Sequence, residues 1–277
     1  MRIISANLQH GTPAQEAAQS RDCWQVLAQQ FLDYRPDVIC LQEVDFYQAR
    51  SGFVDQTRAL AAALTQISGQ TWQYRFLSFF AGQTLLGLRF PVALPSNALG
   101  KTWKPFRADR PLLGGYGVGI LTPHPVQRWV SAKLGSAAPR INISSPDPHT
   151  WKFYGGQTRS LLGAEIVTPQ GRFLVGSTHL ELGVDTAKWQ LIRSWQGLSL
   201  LAGKATPLLV GDMNLRPEVS RSLYPYLSFA SAPTFPADQP RSHIDQLFTP
   251  PTCQVSQVDT MEMPISDHRA LLVEVQA

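Results

Sequence analysis

Short apolar runs that end beside a polar, chemistry-bearing residue recur along this chain, and they constrain its fold more than any other feature. Asn7 ends the run that starts at Arg2. Glu43 follows Val38-Ile39-Cys40-Leu41-Gln42, and His179 follows Phe173-Leu174-Val175-Gly176-Ser177-Thr178. Asp212 and Asn214 follow Leu208-Leu209-Val210-Gly211. Asp245 opens the run through Phe248, and Asp267-His268 precedes Arg269-Ala270-Leu271-Leu272-Val273. Compact apolar runs of this length read as buried strands. A strand end is where a rigid sheet can hold a side chain in a cleft. Any one of these residues could equally be a turn residue, because Asp and Asn are common after strands. The whole ordered set is not explained by turns.

Between these runs lie three stretches of helical spacing. Residues 22–35 carry Trp24, Leu27, Phe31 and Tyr34 on one face, and Pro36 stops the helix. Asp55 is placed to cap a second helix with Leu60, Ala63, Leu64 and Ile67 on one side. Asp185 starts a third with Leu191, Ile192, Trp195 and Leu198. Further strands are expected at 2–9, around Trp72-Tyr74-Phe76, and near 117–121, 126–133, 161–167, 172–178, 253–258 and 269–275. Prolines 91, 95, 105 and 111 and several glycines break any period over 81–115, which reads as a long loop. Helices and strands are interspersed with many short strand connections, so a mixed-sheet α+β architecture is expected, not a strict β-α-β winding. No composition shift marks a boundary, and one domain over residues 1–277 is expected.

Composition removes several alternatives. With 44% hydrophobic and 16% charged residues in 277, the chain can bury enough apolar surface to fold. Its 21 prolines and 20 glycines have no period, which excludes collagen-like and repeat folds. The net charge of +4 allows an anionic substrate without demanding nucleic acid. Three cysteines with long spacings and no C-x-x-C exclude a disulfide framework or zinc ribbon and suit a reducing compartment. No apolar run approaches the roughly 20 residues that span a bilayer. The opening Met1-Arg2-Ile3-Ile4 reads as a strand and not as a signal peptide, so a cytoplasmic location is expected. Gly100-Lys101-Thr102 fails as a P-loop, because Pro95 stands where its first glycine belongs. No Gly-x-Ser-x-Gly elbow is present.

The polar inventory selects a chemistry. Carboxylates, amides and two histidines, with no thiol pair, form a hard-oxygen set that suits Mg²⁺, with Mn²⁺ or Ca²⁺ as alternatives. Such a set is suited to phosphate-ester hydrolysis: the ion neutralises phosphoryl charge, a carboxylate and an amide prepare water, and histidine donates where charge accumulates.

The ordered residues Asn7, Leu41-Gln42-Glu43, Gly117-Val118-Gly119-Ile120-Leu121, Ser177-Thr178-His179, Gly211-Asp212-Met213-Asn214, Ser242-His243-Ile244-Asp245 and Ser266-Asp267-His268 resemble the endonuclease/exonuclease/phosphatase (DNase I-like) superfamily over nearly the whole chain. The resemblance implies a four-layer α/β/β/α sandwich of two mixed sheets packed face to face, with its site at one end of the sheets. It also implies roles. Glu43 resembles the main metal ligand, with Asn7 and Asp267 close by. Asp212 resembles the carboxylate that activates water, and Asn214 its partner. His268 resembles the phosphate-contacting imidazole oriented by Asp245, and His179 the second such histidine. A carboxylate beside His268 would raise its pKa and fix its tautomer. The chain departs from the DNase I-like pattern at Gly115-Tyr116-Gly117, where a glutamate orients the second histidine, so the partner of His179 is left open.

Further substrate contacts are expected from Arg159, which precedes the 161–167 strand, from His243, and from Arg107 and Arg110 of the long loop. There Arg89, Lys101 and Lys104 add charge, with Trp103 and Phe106 between them. Cations with aromatics suit a phosphate backbone or a lipid headgroup as well as a solvated loop. His10 could edge the cleft, and Arg50-Ser51-Gly52 with Asp55-Gln56 resembles a bacterial branch of the superfamily. The expectation is a Mg²⁺-dependent phosphoester hydrolase of phosphodiesterase or nuclease type, acting without an obligate protein partner and as a monomer. The alternatives are a phosphoinositide, phospholipid or small-metabolite phosphatase on the same site, and an inactive phosphate-binding module.

Overall fold

The computed structural model describes residues 1–13, 23–85, 88–91, 114–136, 140–142, 152–154 and 158–277. In chain order the strands of the first half are β1 (Arg2–Asn7), β2 (Val38–Phe46), β3 (Gln73–Leu85), β4 (Leu88–Pro91), β5 (Gly115–Thr122), β6 (Val126–Gly135), β7 (Arg140–Asn142) and β8 (Lys152–Tyr154). Those of the second half are β9 (Arg159–Thr168), β10 (Gly171–His179), β11 (Thr206–Asp212), β12 (Ser228–Ser231), β13 (Asp245–Thr249), β14 (Gln254–Met261) and β15 (Ala270–Gln276). The helices are α1 (Cys23–Asp33), α2 (Gln56–Ser68), α3 (Val184–Ala202) and the short α4 (Pro217–Leu223).

Two mixed sheets form the body. One has the order β14-β15-β1-β2-β5-β3-β4, the other β12-β13-β11-β10-β9-β6, and β7 and β8 make a separate pair. Alternation along the strands builds the layers. Ile3, Val38, Cys40, Val118 and Ile120 of the first sheet meet Leu162, Ala164, Phe173, Val175, Leu208 and Val210 of the second in a shared inter-sheet core. Their neighbours Ile4, Ile39, Leu41 and Leu121 point the other way, onto Leu27 and Phe31 of α1 and Leu60 and Leu64 of α2. On the far side, Leu161, Leu174, Leu209 and Phe248 pack under Leu191, Trp195 and Leu198 of α3. The result is the expected four-layer α/β/β/α sandwich. Asp55 caps α2 as its position predicts, its Oδ1 accepting from the Arg58 backbone N–H at 3.0 Å.

One expectation is corrected. The 81–115 segment is not loop from its start: β3 runs through Leu85, and β4 pairs with it antiparallel, Gly82 opposite Pro91 and Leu85 opposite Leu88. Two features hide this extension. A register shift between Ser78 and Phe80 breaks the period-2 pattern in mid-strand. Pro91 is tolerated because it lies at the end of β4, the sheet's edge strand. Residues 92–113, including Lys101, Lys104, Arg107 and Arg110, lie outside the described residues.

The topology places the site. β1 and β2 run parallel with Asn7 opposite Gln42, and β10 and β11 run parallel with His179 opposite Asp212. Parallel neighbours bring their C-terminal ends to one edge. Asp245, the first residue of antiparallel β13, lies opposite Asp212. Buried Gln42 ties the two sheets beneath this edge: it accepts from Ser5 Oγ and donates to Ser177 Oγ, each at 3.3 Å. Gly211 lets β10 and β11 approach there. Its φ is +148°, and a Cβ would lie 1.9 Å from the Thr178 carbonyl oxygen.

Candidate active site

Glu43 sits within β2 and not after it, at a β-bulge where pairing with β5 shifts between Leu41 and Val44. Its φ of +53° is a conformation that non-glycine residues rarely adopt. A bulge re-aims a side chain, and here it frees the Glu43 carboxylate from the strand's alternation. Gln9, His10, Asn214 and Ser266 around the same edge also have positive φ, the clustering of backbone strain expected at a functional site. Ser266 holds the final loop in place: its Oγ donates to the Asn7 carbonyl at 2.6 Å and accepts from the His268 backbone N–H at 3.0 Å.

These residues border a cleft of about 430 Å³ lined by His10, Glu43, Arg50, Thr84, Tyr116, Arg159, His179, Leu182, Asp212, Asn214, Phe235, Ile244 and His268. Asp212 is buried and held from two sides. Asn7 Nδ2 donates to its Oδ2 at 3.1 Å, and the Asn214 backbone N–H donates to its Oδ1 at 2.9 Å. The Asn214 amide is fixed in turn by donating to the Leu180 carbonyl at 2.9 Å. Asp245 is fully buried behind the cleft, where its Oδ2 accepts from Thr234 Oγ1 at 2.5 Å and meets His268 Nδ1 at 3.0 Å. His179 Nε2 stands 3.6 Å from Asp212 Oδ2 and 3.9 Å from Glu43 Oε1.

The electrostatics follow from burying several carboxylates together. Burial raises the pKa of Glu43, with Arg159, the Asn7 amide and His268 pulling it back down. Burial likewise raises Asp212, reinforced by the charge of Asp245 and opposed by His268. Burial works against the His268 imidazolium, but Asp245 opposes it through charge and hydrogen bond. With Asp212 and Asp267 adding to this, the pKa is pushed up to about 9.

The orienting partner of His179 is Arg159, at the start of β9. Its Nη1 lies 3.1 Å from His179 Nδ1, and its guanidinium sits over the Phe79 ring at 5.3 Å. Arginine can only donate, so Nδ1 is the acceptor and Nε2 carries the ring proton toward Asp212. No glutamate could serve from Gly117, where a Cβ would lie 1.9 Å from the Leu77 carbonyl oxygen.

The donor set fits a divalent cation. Asp245 Oδ1 is buried with no hydrogen-bond partner among the described residues, and burial raises Glu43 and Asp212 against the cations that face them. Ligand atoms of Asp212, Asp245 and His268 lie within 4.8 Å of one another. Within this trio His268 Nδ1 is already engaged with Asp245, which favours the more exposed Glu43 edge for an ion. Asp267 lies near that edge with its side chain 45% exposed and Oδ1 4.0 Å from His268 Nε2.

Of the expected residues, Glu43, Asn214, Asp212, His179, His268 and Arg159 line the cleft, and Asn7 and Asp245 stand directly behind it. His243 does not line it; its carbonyl accepts from Gln246 Nε2 at 2.9 Å. Arg107 and Arg110 lie outside the described residues. Arg50, Tyr116 and Thr84 also line the cleft, where sequence alone predicts no role for them. Arg50 stood within a recognised motif, while Thr84 carried no signal.

The family description Endonuclease/Exonuclease/phosphatase family matches residues 4–268. The chain belongs to that family. Its members are typically hydrolases of phosphoesters and generally depend on divalent metals. Among solved structures, the chain resembles an endonuclease/exonuclease/phosphatase from Beutenbergia cavernae (TM-score 0.67, 19% identity, all of this chain and 71% of that one). It also resembles the Bacteroides thetaiotaomicron mannosyl-6-phosphatase (TM-score 0.63, 14% identity, all of both chains). A third likeness is to D. rerio TDP2 complexed with a single-strand DNA product (TM-score 0.54, 14% identity, 100% of this chain and 99% of that one). No curated protein sequence matches the chain. Among the described residues no helix is long and apolar enough to cross a membrane.

Proposed function

We propose that the protein is a metal-dependent phosphoester hydrolase in which Asp212 activates the attacking water. The carrying observation is the convergence on one cleft of Glu43, Asp212, His179 and His268 from both sheets. Asp212 acts as general base: burial raises its proton affinity, and Asn7 and Asn214 fix both of its oxygens. His268, held charged by Asp245, donates to a phosphoryl oxygen, and His179 offers its Nε2–H as a second donor. Glu43, with the Asn7 amide oxygen and Asp267, would hold a divalent ion, Mg²⁺ being the best match to hard oxygen donors, and the ion would neutralise phosphoryl charge. Water adds to phosphorus opposite the leaving group, the ester P–O bond breaks, the departing alkoxide takes a proton from solvent, and the proton taken by Asp212 is returned to solvent.

The test is hydrolysis of p-nitrophenyl phosphate and bis-p-nitrophenyl phosphate with Mg²⁺ and with EDTA. Turnover abolished by EDTA and by either Glu43→Ala or Asp212→Ala is the expected result. Turnover indifferent to both substitutions would reject the assignment, and no turnover on any phosphoester would favour a binding module.

A further inference from the structure

One wall of the cleft is built by residues with no part in the chemistry above. The buried Gln48 and half-buried Gln83 side chains clamp the end of β3 to the turn after β2. Gln48 Nε2 donates to the Gly82 carbonyl at 2.7 Å, and its Oε1 accepts from the Thr84 backbone N–H at 2.7 Å. Gln83 Nε2 donates to the Tyr47 carbonyl at 3.0 Å, and its Oε1 accepts from the Ala49 N–H at 3.0 Å. This clamp sets Thr84 and Arg50 on the same wall.

Arg50 is held rigidly. Its Nε and Nη2 grip the fully buried Asp45 at 2.8 and 2.7 Å, Nη2 also lies 3.0 Å from His10 Nδ1, and the guanidinium sits over the Tyr116 ring at 5.2 Å. Its remaining nitrogen, Nη1, has no partner among the described residues. Thr84 is 9% exposed, and its hydroxyl is buried with no partner among the described residues. A buried hydroxyl without a partner costs stability, and its place on the cleft wall indicates what would satisfy it.

Resting on the phosphoester hydrolase reading, we infer that Arg50 and Thr84 form a subsite for the hydroxyl groups of a polyol leaving group, a sugar or cyclitol esterified to the scissile phosphate. Charge excludes a second phosphate as the better occupant. Asp45 already neutralises Arg50, its Oδ1 2.7 Å from Nη2. Hydroxyls both donate and accept, which matches a guanidinium N–H and a threonine hydroxyl lining one cleft. The cleft volume of about 430 Å³ falls in the range of single small-molecule sites.

The experiment compares kcat/KM with Mg²⁺ on hexose 6-phosphate, myo-inositol 1-phosphate, hexose 1,6-bisphosphate and the two p-nitrophenyl esters. It uses wild type, R50K and the near-isosteric T84V, each checked for folding by circular dichroism. The expected result is a fall in the ratio of polyol-ester to p-nitrophenyl-ester kcat/KM, by about fivefold in T84V and tenfold or more in R50K. Unchanged ratios in T84V, wild-type turnover of the p-nitrophenyl esters without any polyol phosphate, or a bisphosphate preference that R50K alone removes would each overturn the subsite. Failure of wild type on every ester would take down the hydrolase reading together with it.

Discussion

Replacing Asp245 by Asn isolates the contribution of a single buried charge. Asp245 Oδ2 faces both Thr234 Oγ1 and His268 Nδ1, and an amide of the same shape keeps the contacts while removing the charge. In the folded protein His268 is held at about 9, against an ordinary value of 6.5. Without Asp245, burial acts against the imidazolium, and a return to about 6.5 is the conservative expectation. At pH 8 the charged fraction of His268 would then drop from about 0.9 to about 0.03, a loss of roughly 30-fold in the reacting form. Acid–base assistance worth about 10² to 10⁴ in rate allows a deficit of this size to reach turnover. The sign sets the pH course. A raised histidine is fully charged below its unfolded value and discharges as pH rises through about 9. The gap between wild type and Asp245→Asn should therefore be small near pH 5.5 and widen to roughly 30-fold by pH 8. The assay is kcat against pH on bis-p-nitrophenyl phosphate at saturating Mg²⁺, with circular dichroism as the folding control. A gap independent of pH, or turnover within threefold of wild type at pH 8, would show that His268 does not act as a cation.

Other expectations follow from neighbouring contacts. The same linkage makes the His268–Asp245 pair worth up to about 3 kcal/mol of stability below pH 6.5, lost as pH passes about 9. In EDTA, wild type should thus lose its Tm advantage over Asp245→Asn between those values, and a constant Tm difference would contradict the pairing. Mg²⁺ should raise the Tm of wild type by mass action and not that of Glu43→Gln; an equal rise in both would move the ion elsewhere. Arg159→Met removes the donor to His179 Nδ1, a charged hydrogen bond worth about 1.5–3 kcal/mol. It should lower kcat roughly 10- to 100-fold and change the imidazole ¹⁵N tautomer signature of His179, whereas an unaltered signature would mean that another group sets the ring. Gly211→Ala forces a Cβ against the Thr178 carbonyl at a positive φ, so a Tm within a degree or two of wild type would refute the close strand approach.

The fold was legible wherever period and punctuation agreed. Val38 to Leu41 and Leu208 to Val210 are short, apolar and followed by polar residues, and both become strands of the inter-sheet core. Asp55 announced α2 because a cap acts through its nearest neighbours. Legibility failed where a bulge shifts the phase, as at Ser78–Phe80, and at short elements such as β12 and α4 that tertiary packing supports. The site divides in the same way. Asn7, Glu43, His179, Asp212 and His268 stand at ends or bulges of recognisable strands, so their residue types could be read in order. The geometry among them could not, because it depends on which strands become parallel neighbours.

The orientation of His179 shows why. Sequence offered only the absence of a glutamate near Val118. The structure supplies a substitute of opposite charge from a different strand, since β9 pairs antiparallel with β10 and presents Arg159 beside His179. An acidic partner accepts from Nδ1–H and favours the imidazolium; an arginine donates to Nδ1 and favours the neutral ring with its proton on Nε2. His268 and His179 are thereby held in different ways, the first by Asp245 and the second by Arg159. Two histidines with opposed partners can divide the work on one phosphate, one contributing charge and the other a directed hydrogen bond. This division requires Arg159 and Asp245 to fail differently. Arg159→Met should lower turnover by a factor that does not grow as pH rises from 6 to 8, while Asp245→Asn should produce a deficit that grows with pH. Parallel profiles for the two variants would mean that both histidines act through the same protonation state, and the assignment of separate roles would fall.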